Sequence, residues 1–128
     1  MTTVLYADDD YDLRDLAAFK LEGAGYTVFT APDGRTALAL AENGGIDVVL
    51  LDVMMPDTDG IEVCRRLRAN PATADVPIVL LTAASNPAAI ERGYEAGADD
   101  YILKPFSVRE LPGLVGAVQR RRRSATSL

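Results

Sequence analysis

No histidine occurs among the 128 residues, and cysteine occurs once, as Cys64. Without an imidazole, Ser-His-Asp and Cys-His catalysis, His-ligated zinc and phosphohistidine chemistry on this chain are excluded. Any nucleophile must be a carboxylate, hydroxyl, thiol or amine. One cysteine cannot close an internal disulfide. There is also no N-terminal apolar segment of the secretory kind and no apolar run long enough to span a bilayer, so a reducing, cytoplasmic setting without membrane contact is expected. Positive charge is in deficit: 13 Lys and Arg stand against 19 Asp and Glu, a net charge of −6. A phosphate backbone is engaged through an excess of cations, so direct nucleic-acid binding by this chain is not expected. At this length one domain is expected, large enough to bury a core without metal or disulfide staples.

What the chain does contain is an alternation of strand and helix signals, uninterrupted by internal repeats or low-complexity segments. Strands are predicted at Thr3 to Ala7, Tyr26 to Ala31, Asp47 to Leu51, Ile78 to Leu81 and Tyr101 to Leu103. The third is apolar on both faces, as a central parallel strand is, and the second alternates like an edge strand. Between them, Leu13, Leu16, Ala17 and Leu21 repeat at helical spacing, and Asp33 can cap a helix carrying Ala37, Leu38 and Ala41. Asp59 with Glu62 reads as a capping box for a helix through Arg68 that buries Ile61, Cys64 and Leu67. On that face Cys64 reads as a small core residue rather than a reactive thiol. Asn86-Pro87 opens a fourth helix ending near Ala96 and Gly97. Ser107 and Glu110 suggest a capping box for a fifth, in which Pro112, about five residues inside, and Gly113 and Gly116 weaken the helix, so that a late start, a kink or fraying is expected. Its Arg120 to Arg123 run reads as a solvated helix end against the C-terminal dipole. Five strands alternating with five helices predict a parallel sheet with right-handed crossovers and helices on both faces.

Chemistry concentrates where the strands end. Asp8-Asp9-Asp10, Asp52, Thr82 and Lys104-Pro105 each follow an apolar run, and strand carboxyl ends in an open α/β sheet meet at one crevice. Taken singly, Asp8 to Asp10 read equally as helix caps and Lys104 as the partner of a surface acid. Taken together they favour a site. Carboxylates gathered there raise one another's pKa values unless a cation shares the space, and an all-oxygen donor set suits Mg²⁺. If Asp52 attacks a phosphoryl group, Mg²⁺ and Lys104 offset its charge and the Thr82 hydroxyl donates to it, giving an aspartyl phosphate.

Asp8-Asp9 after the first strand, Leu-Leu-Asp52-Val-Met-Met-Pro56-Asp-Thr-Asp-Gly60 after the third, Leu-Thr82-Ala after the fourth and Ala-Asp-Asp-Tyr101-Ile-Leu-Lys104-Pro105-Phe106 at the fifth resemble the receiver domain of two-component response regulators. The resemblance runs from Val4 to about Arg121 and implies a flavodoxin-like (βα)5 fold with strand order 2-1-3-4-5. It places a receiver domain at 1–121 and a short basic and polar tail or linker start at 122–128, with no DNA-binding domain in the chain. It implies that Asp52 accepts phosphate from a phosphohistidine on a sensor histidine kinase or phosphotransfer protein. Asp9, Asp52 and the Met54 main-chain carbonyl would bind Mg²⁺, with Asp8 acting mainly through water, and Thr82 and Lys104 would contact phosphoryl oxygens. A cis Lys104-Pro105 peptide, a switch made of Thr82 and Tyr101, and an output surface on the fourth helix, fifth strand and fifth helix also follow. That surface would serve a downstream output protein or domain, or a homodimer.

Other readings are weaker. The triplet Asp8-x-Asp10-x-Asp12 is not a calcium loop, because Leu13 and Phe19 stand where glycine and glutamate are needed. The Asp57-Thr58-Asp59-Gly60 run resembles a haloacid-dehalogenase nucleophile motif but is set off from its strand by Met-Met-Pro. A receiver-like scaffold that never carries phosphate, and a Mg²⁺-dependent hydrolase using Asp52 on small phosphate esters, are the alternative functions. Met54 and Ala84 offer no side chain to orient an attacking water, so slow self-dephosphorylation is expected.

Overall fold

Val48 to Leu51 and Ile78 to Leu81 are buried on both faces and form adjacent strands inside the sheet. The computed structural model describes the backbone of residues 1–126 and side chains through residue 122. Its strands β1 (Thr3–Ala7), β2 (Thr27–Ala31), β3 (Val48–Asp52), β4 (Ile78–Thr82) and β5 (Asp100–Leu103) pair in parallel in the order β2-β1-β3-β4-β5. The helices are α1 (Tyr11–Gly23), α2 (Gly34–Glu42), α3 (Gly60–Ala69), α4 (Pro87–Glu95) and α5 (Leu111–Thr126). This is the flavodoxin-like arrangement. No helix among the described residues is long and apolar enough to cross a membrane.

Strand pleating sorts the core into two layers. On one face Val4, Tyr6 and Leu50 pack with Leu21 of α1 and with Leu111 and Val115 of α5. On the other, Leu5, Val49 and Leu51 pack with Ala37 of α2 and with Val63 and Leu67 of α3. Cys64 is buried in this second layer, where burial pushes its thiol up to about 11, so it is a core residue. Helix starts are set by side-chain caps: Asp10 accepts from the Leu13 N–H, Asp33 from Thr36, Asp59 from Ile61 and Asn86 from Ala89. Each supplies a partner to a backbone donor the helix cannot satisfy itself.

Several local expectations turn out differently. Leu16 is 56% exposed, because the stripe of α1 that meets the sheet is narrow and consists of Ala17 and Leu21 with Leu13 beside them. Glu62 does not reach back to its cap but pairs with Arg65 and Arg66 on the surface. The Ser107–Glu110 capping box closes a 3-10 turn, Val108–Glu110, and α5 starts only at Leu111. Of the expected outcomes for this helix the late start is the one seen, and Pro112 therefore sits in the first turn of α5, where its missing N–H breaks no bond. Of the arginine run, Arg120 and Arg121 are exposed as expected, but Arg121 donates to Asp100 at 2.7 Å and the half-buried Arg122 to Asp99 at 2.9 Å, holding α5 against the start of β5; the Arg123 side chain lies outside the described residues. Of the expected tail at 122–128, Ser127 and Leu128 lie outside the described residues.

Candidate functional site

Register brings the strand ends together. Ala7 lies opposite Leu51, Asp52 opposite Leu81 and Thr82 opposite Leu103, so Asp8, Asp52, Thr82 and Lys104 occupy neighbouring places along one edge. Lys104 Nζ is 3.1 Å from Asp8 Oδ2 and 3.1 Å from Asp52 Oδ2. Carboxylate oxygens of Asp8, Asp9 and Asp52 all lie within 4.8 Å of one another. Asp8 is fully buried, Asp52 is 3% exposed and Asp9 faces solvent. The cluster thus reaches solvent through Asp9.

Backbone groups fix these side chains. Asp8 Oδ1 accepts the Asp10 N–H at 3.0 Å, and Asp52 Oδ1 accepts the Met54 N–H at 3.2 Å. Thr82 Oγ1 accepts the Ala84 N–H at 3.0 Å, which leaves its own proton to donate. The Lys104–Pro105 peptide is cis.

Burial, then the neighbouring Asp8 charge, push the Asp52 carboxyl up to about 6, with Lys104 offsetting part of this. Burial lowers the affinity of the Lys104 ammonium for its proton, but its hydrogen bonds to Asp8 and Asp52 outweigh that and raise it, so it stays charged. One ammonium against three carboxylates leaves a negative excess, and the donors are all hard oxygens. Such a set fits a divalent cation of the Mg²⁺ kind.

The raised Asp52 value has a consequence for stability. Relative to the unfolded chain, protonated Asp52 favours the fold, a contribution fully present below pH about 4 and lost as pH rises through about 6. In Mg²⁺-free buffer at pH 7.5, Asp52→Asn is expected to stabilise the protein by about 1–3 kcal/mol, a difference that shrinks toward pH 4. Urea unfolding of both proteins at the two pH values measures it. Equal stabilities at pH 7.5 would show that the Asp52 charge carries no penalty.

Three contributors were not identified from the sequence. The Tyr6 hydroxyl is 3.2 Å from Asp8 Oδ2. Asp57, in the loop after β3, accepts from the N–H groups of Gly34 and Arg35 at 2.9 Å each, tying the loop that carries Met54 to the start of α2. Those same N–H groups hold its carboxyl below the usual range. Tyr94 meets Tyr101 edge to face with ring centroids 5.9 Å apart, beside a cavity of about 230 Å³ that Thr82 and Tyr101 also line. A signal existed for Tyr6, which stands two residues before Asp8 on the same side of a strand. The partners of Asp57 and Tyr94 are set by loop and helix geometry, which has no period to read.

This parallel five-stranded sheet carries an acidic cluster and a lysine at its strand ends, and a family model of the response regulator receiver domain matches residues 4–115. The chain belongs to the response regulator receiver family of two-component signalling. It is 46% identical over 120 residues to the transcriptional regulatory protein ResD of Bacillus subtilis, covering 94% of this chain and 49% of that protein. It is 44% identical over 121 residues to the DNA-binding dual master transcriptional regulator RpaA of a Synechocystis sp., covering 94% of this chain and 50% of that one. The Vibrio cholerae chemotaxis protein CheY4 matches with a TM-score of 0.87 and 36% identity, over 92% of this chain and 98% of that chain. The chain spans about half the length of the curated relatives it matches.

Proposed function

We propose that this receiver is a phosphoacceptor switch, on which Asp52 takes a phosphoryl group from the phosphohistidine of a sensor kinase or phosphotransfer protein in the cytoplasm. The observation that carries the reading is the buried Asp52 carboxylate at its strand end, bridged by Lys104 to Asp8 with Asp9 alongside. A carboxylate oxygen of Asp52 forms the new P–O bond while the P–N bond breaks. The electron pair goes to the imidazole, which leaves neutral because its other nitrogen is protonated. Lys104 shifts from the carboxylates to a phosphoryl oxygen, and the Thr82 hydroxyl donates to another.

Asp9, Asp52 and the Met54 main-chain carbonyl would hold Mg²⁺, with Asp8 acting mainly through water; when bound, the ion neutralises charge on the phosphoryl oxygens. Movement of Thr82 toward the phosphoryl group would free Tyr101 to turn inward beside Tyr94. That biases two states of the surface formed by α4, β5 and α5, through which an output protein, an output domain or a second copy is engaged.

Intact mass after incubation with acetyl phosphate tests this. One added phosphoryl group is expected with Mg²⁺ and wild-type protein, and none without Mg²⁺ or in Asp52→Asn. The adduct should decay slowly, over many minutes, for want of a water-orienting side chain at Met54 or Ala84. No adduct under any condition would favour a phosphate-independent scaffold, and multiple turnover of small phosphate esters would favour a hydrolase.

A further inference from the structure

Tyr6 lies in the wrong surroundings for a hydroxyl. Its side chain is fully buried and packs among Val4, Ala17, Leu21, Leu50, Leu81 and Leu111, an apolar layer in which a phenylalanine would fill the same space without a polar atom to satisfy. Burying a hydroxyl in such a place is unfavourable unless it is hydrogen-bonded. Among the described residues its partner is Asp8, with O–H to Oδ2 at 3.2 Å. Alternation along β1 puts Tyr6 and Asp8 on the same side of the strand, so the phenol approaches the carboxylate from beneath, out of the core.

The three donors to Asp8 divide its oxygens. Oδ1 takes the Asp10 N–H at 3.0 Å, while Oδ2 is shared by Tyr6 and Lys104 Nζ at 3.2 and 3.1 Å. Lys104 also binds Asp52 and is the mobile one of the three, because its partner at Asp52 changes when that side chain reacts. Tyr6 cannot move in the same way, being packed on all sides.

We propose that Tyr6 is a positioning residue for the cation site: its hydroxyl holds the Asp8 carboxylate in one orientation from below, so that the acid presents a fixed oxygen to a water on the bound divalent cation. This rests on the reading of Asp8, Asp9 and Asp52 as a Mg²⁺ site. Partners of that outer kind typically contribute tenfold or more to metal affinity by fixing ligand orientation. Without the phenol, the Asp8 carboxylate turns more freely and leans on Lys104, which neutralises charge that the cation needs. The same contact makes Tyr6 an internal reporter, since the chain has five tyrosines and no tryptophan, and this one is bonded directly to the site.

The test is a Mg²⁺ titration of wild type and Tyr6→Phe, followed by calorimetry and by near-UV tyrosine difference absorbance, with Asp8→Asn and the double variant alongside. Tyr6→Phe removes one oxygen and keeps the packing shape, and its circular dichroism and urea midpoint establish that it is folded. Expected is about tenfold weaker Mg²⁺ binding in Tyr6→Phe, loss of the wild-type tyrosine signal, and no further weakening when Tyr6→Phe is added to Asp8→Asn. An unchanged or tighter Mg²⁺ affinity in folded Tyr6→Phe would overturn the proposal and leave Tyr6 as a core phenol that Asp8 merely satisfies. Wild type that binds no Mg²⁺ at millimolar concentration would instead overturn the metal site itself, and the proposal with it. Should Tyr6→Phe fail to fold, the tyrosine difference signal is read in Tyr11→Phe and Tyr101→Phe: a Mg²⁺-induced change that persists in both supports the contact, and its absence refutes it.

Discussion

Gly60→Ala is expected to destabilise the protein by about 3 kcal/mol and to damage the acidic site at the same time. A Cβ at Gly60 would fall 2.2 Å from the Asp52 carbonyl oxygen and 2.8 Å from the Val53 Cα, and backbone atoms of a central strand cannot swing aside as a flexible side chain can. The Gly60 N–H meanwhile donates to the Val53 carbonyl at 2.9 Å, so the first turn of α3 rests directly on the end of β3. What glycine supplies here is room for two backbones to touch, which the methyl group of alanine would force apart. Because the strand being pushed is the one that ends in Asp52, both the urea midpoint and the rate of acetyl-phosphate labelling should fall. A Gly60→Ala protein of wild-type stability would show that α3 can retreat without cost.

Arg68→Ala is expected to cost a similar amount, about 3 kcal/mol, while leaving the phosphoacceptor chemistry alone. The guanidinium sits between α3 and β5, largely buried, and donates to the carbonyls of Gly97 at 2.9 Å, Ala74 at 3.0 Å and Val76, and to Asp99 at 2.9 Å. Burial, and then the nearby Arg122, hold its pKa below the usual arginine range, with the Asp99 carboxylate offsetting part of this. Truncation leaves carbonyls and a carboxylate without their donor. Arg68→Lys should recover little, since one ammonium with three donors cannot replace a planar guanidinium that serves four acceptors. Denaturant unfolding should show the loss, and labelling of Asp52 by acetyl phosphate well below the transition should stay within about twofold of wild type. A labelling defect as large as that of Gly60→Ala would mean that the two ends of the sheet are coupled.

The fold was readable because its signals are local. Val48 to Leu51 is apolar on both faces and could only be a covered strand, while Asp33, Asp59 and Asn86 mark helix starts in the few residues they cap. The acidic cluster was readable for a related reason, since each member stands at the end of such a strand and the topology does the gathering. Other features depend on who meets whom across the fold. Leu16 has the spacing of a core residue, yet α1 turns only its Ala17 and Leu21 stripe into the core and leaves Leu16 outside it. Pro112 looked disruptive until a 3-10 turn moved the helix start to Leu111. The pairing of Arg121 and Arg122 with Asp100 and Asp99, the tie from Asp57 to α2, and the phenol beneath Asp8 join residues far apart or on different elements, and no repeat along the chain announces them.

The parallel sheet has one further effect, on the life history of the chain. Asp52 and Lys104 are 52 positions apart, and in a sheet without hairpins every strand pairing must first close a long loop. Contacts of that kind slow folding, and the full set of Asp8, Asp9, Asp52 and Lys104 is complete only once β1, β3 and β5 are all in place. A ligand that recognises the cluster therefore binds only the finished molecule, and each tenfold excess over its dissociation constant adds about 1.4 kcal/mol of protection against unfolding. Occupancy of the site would then set how long the protein survives proteolysis as well as what it signals.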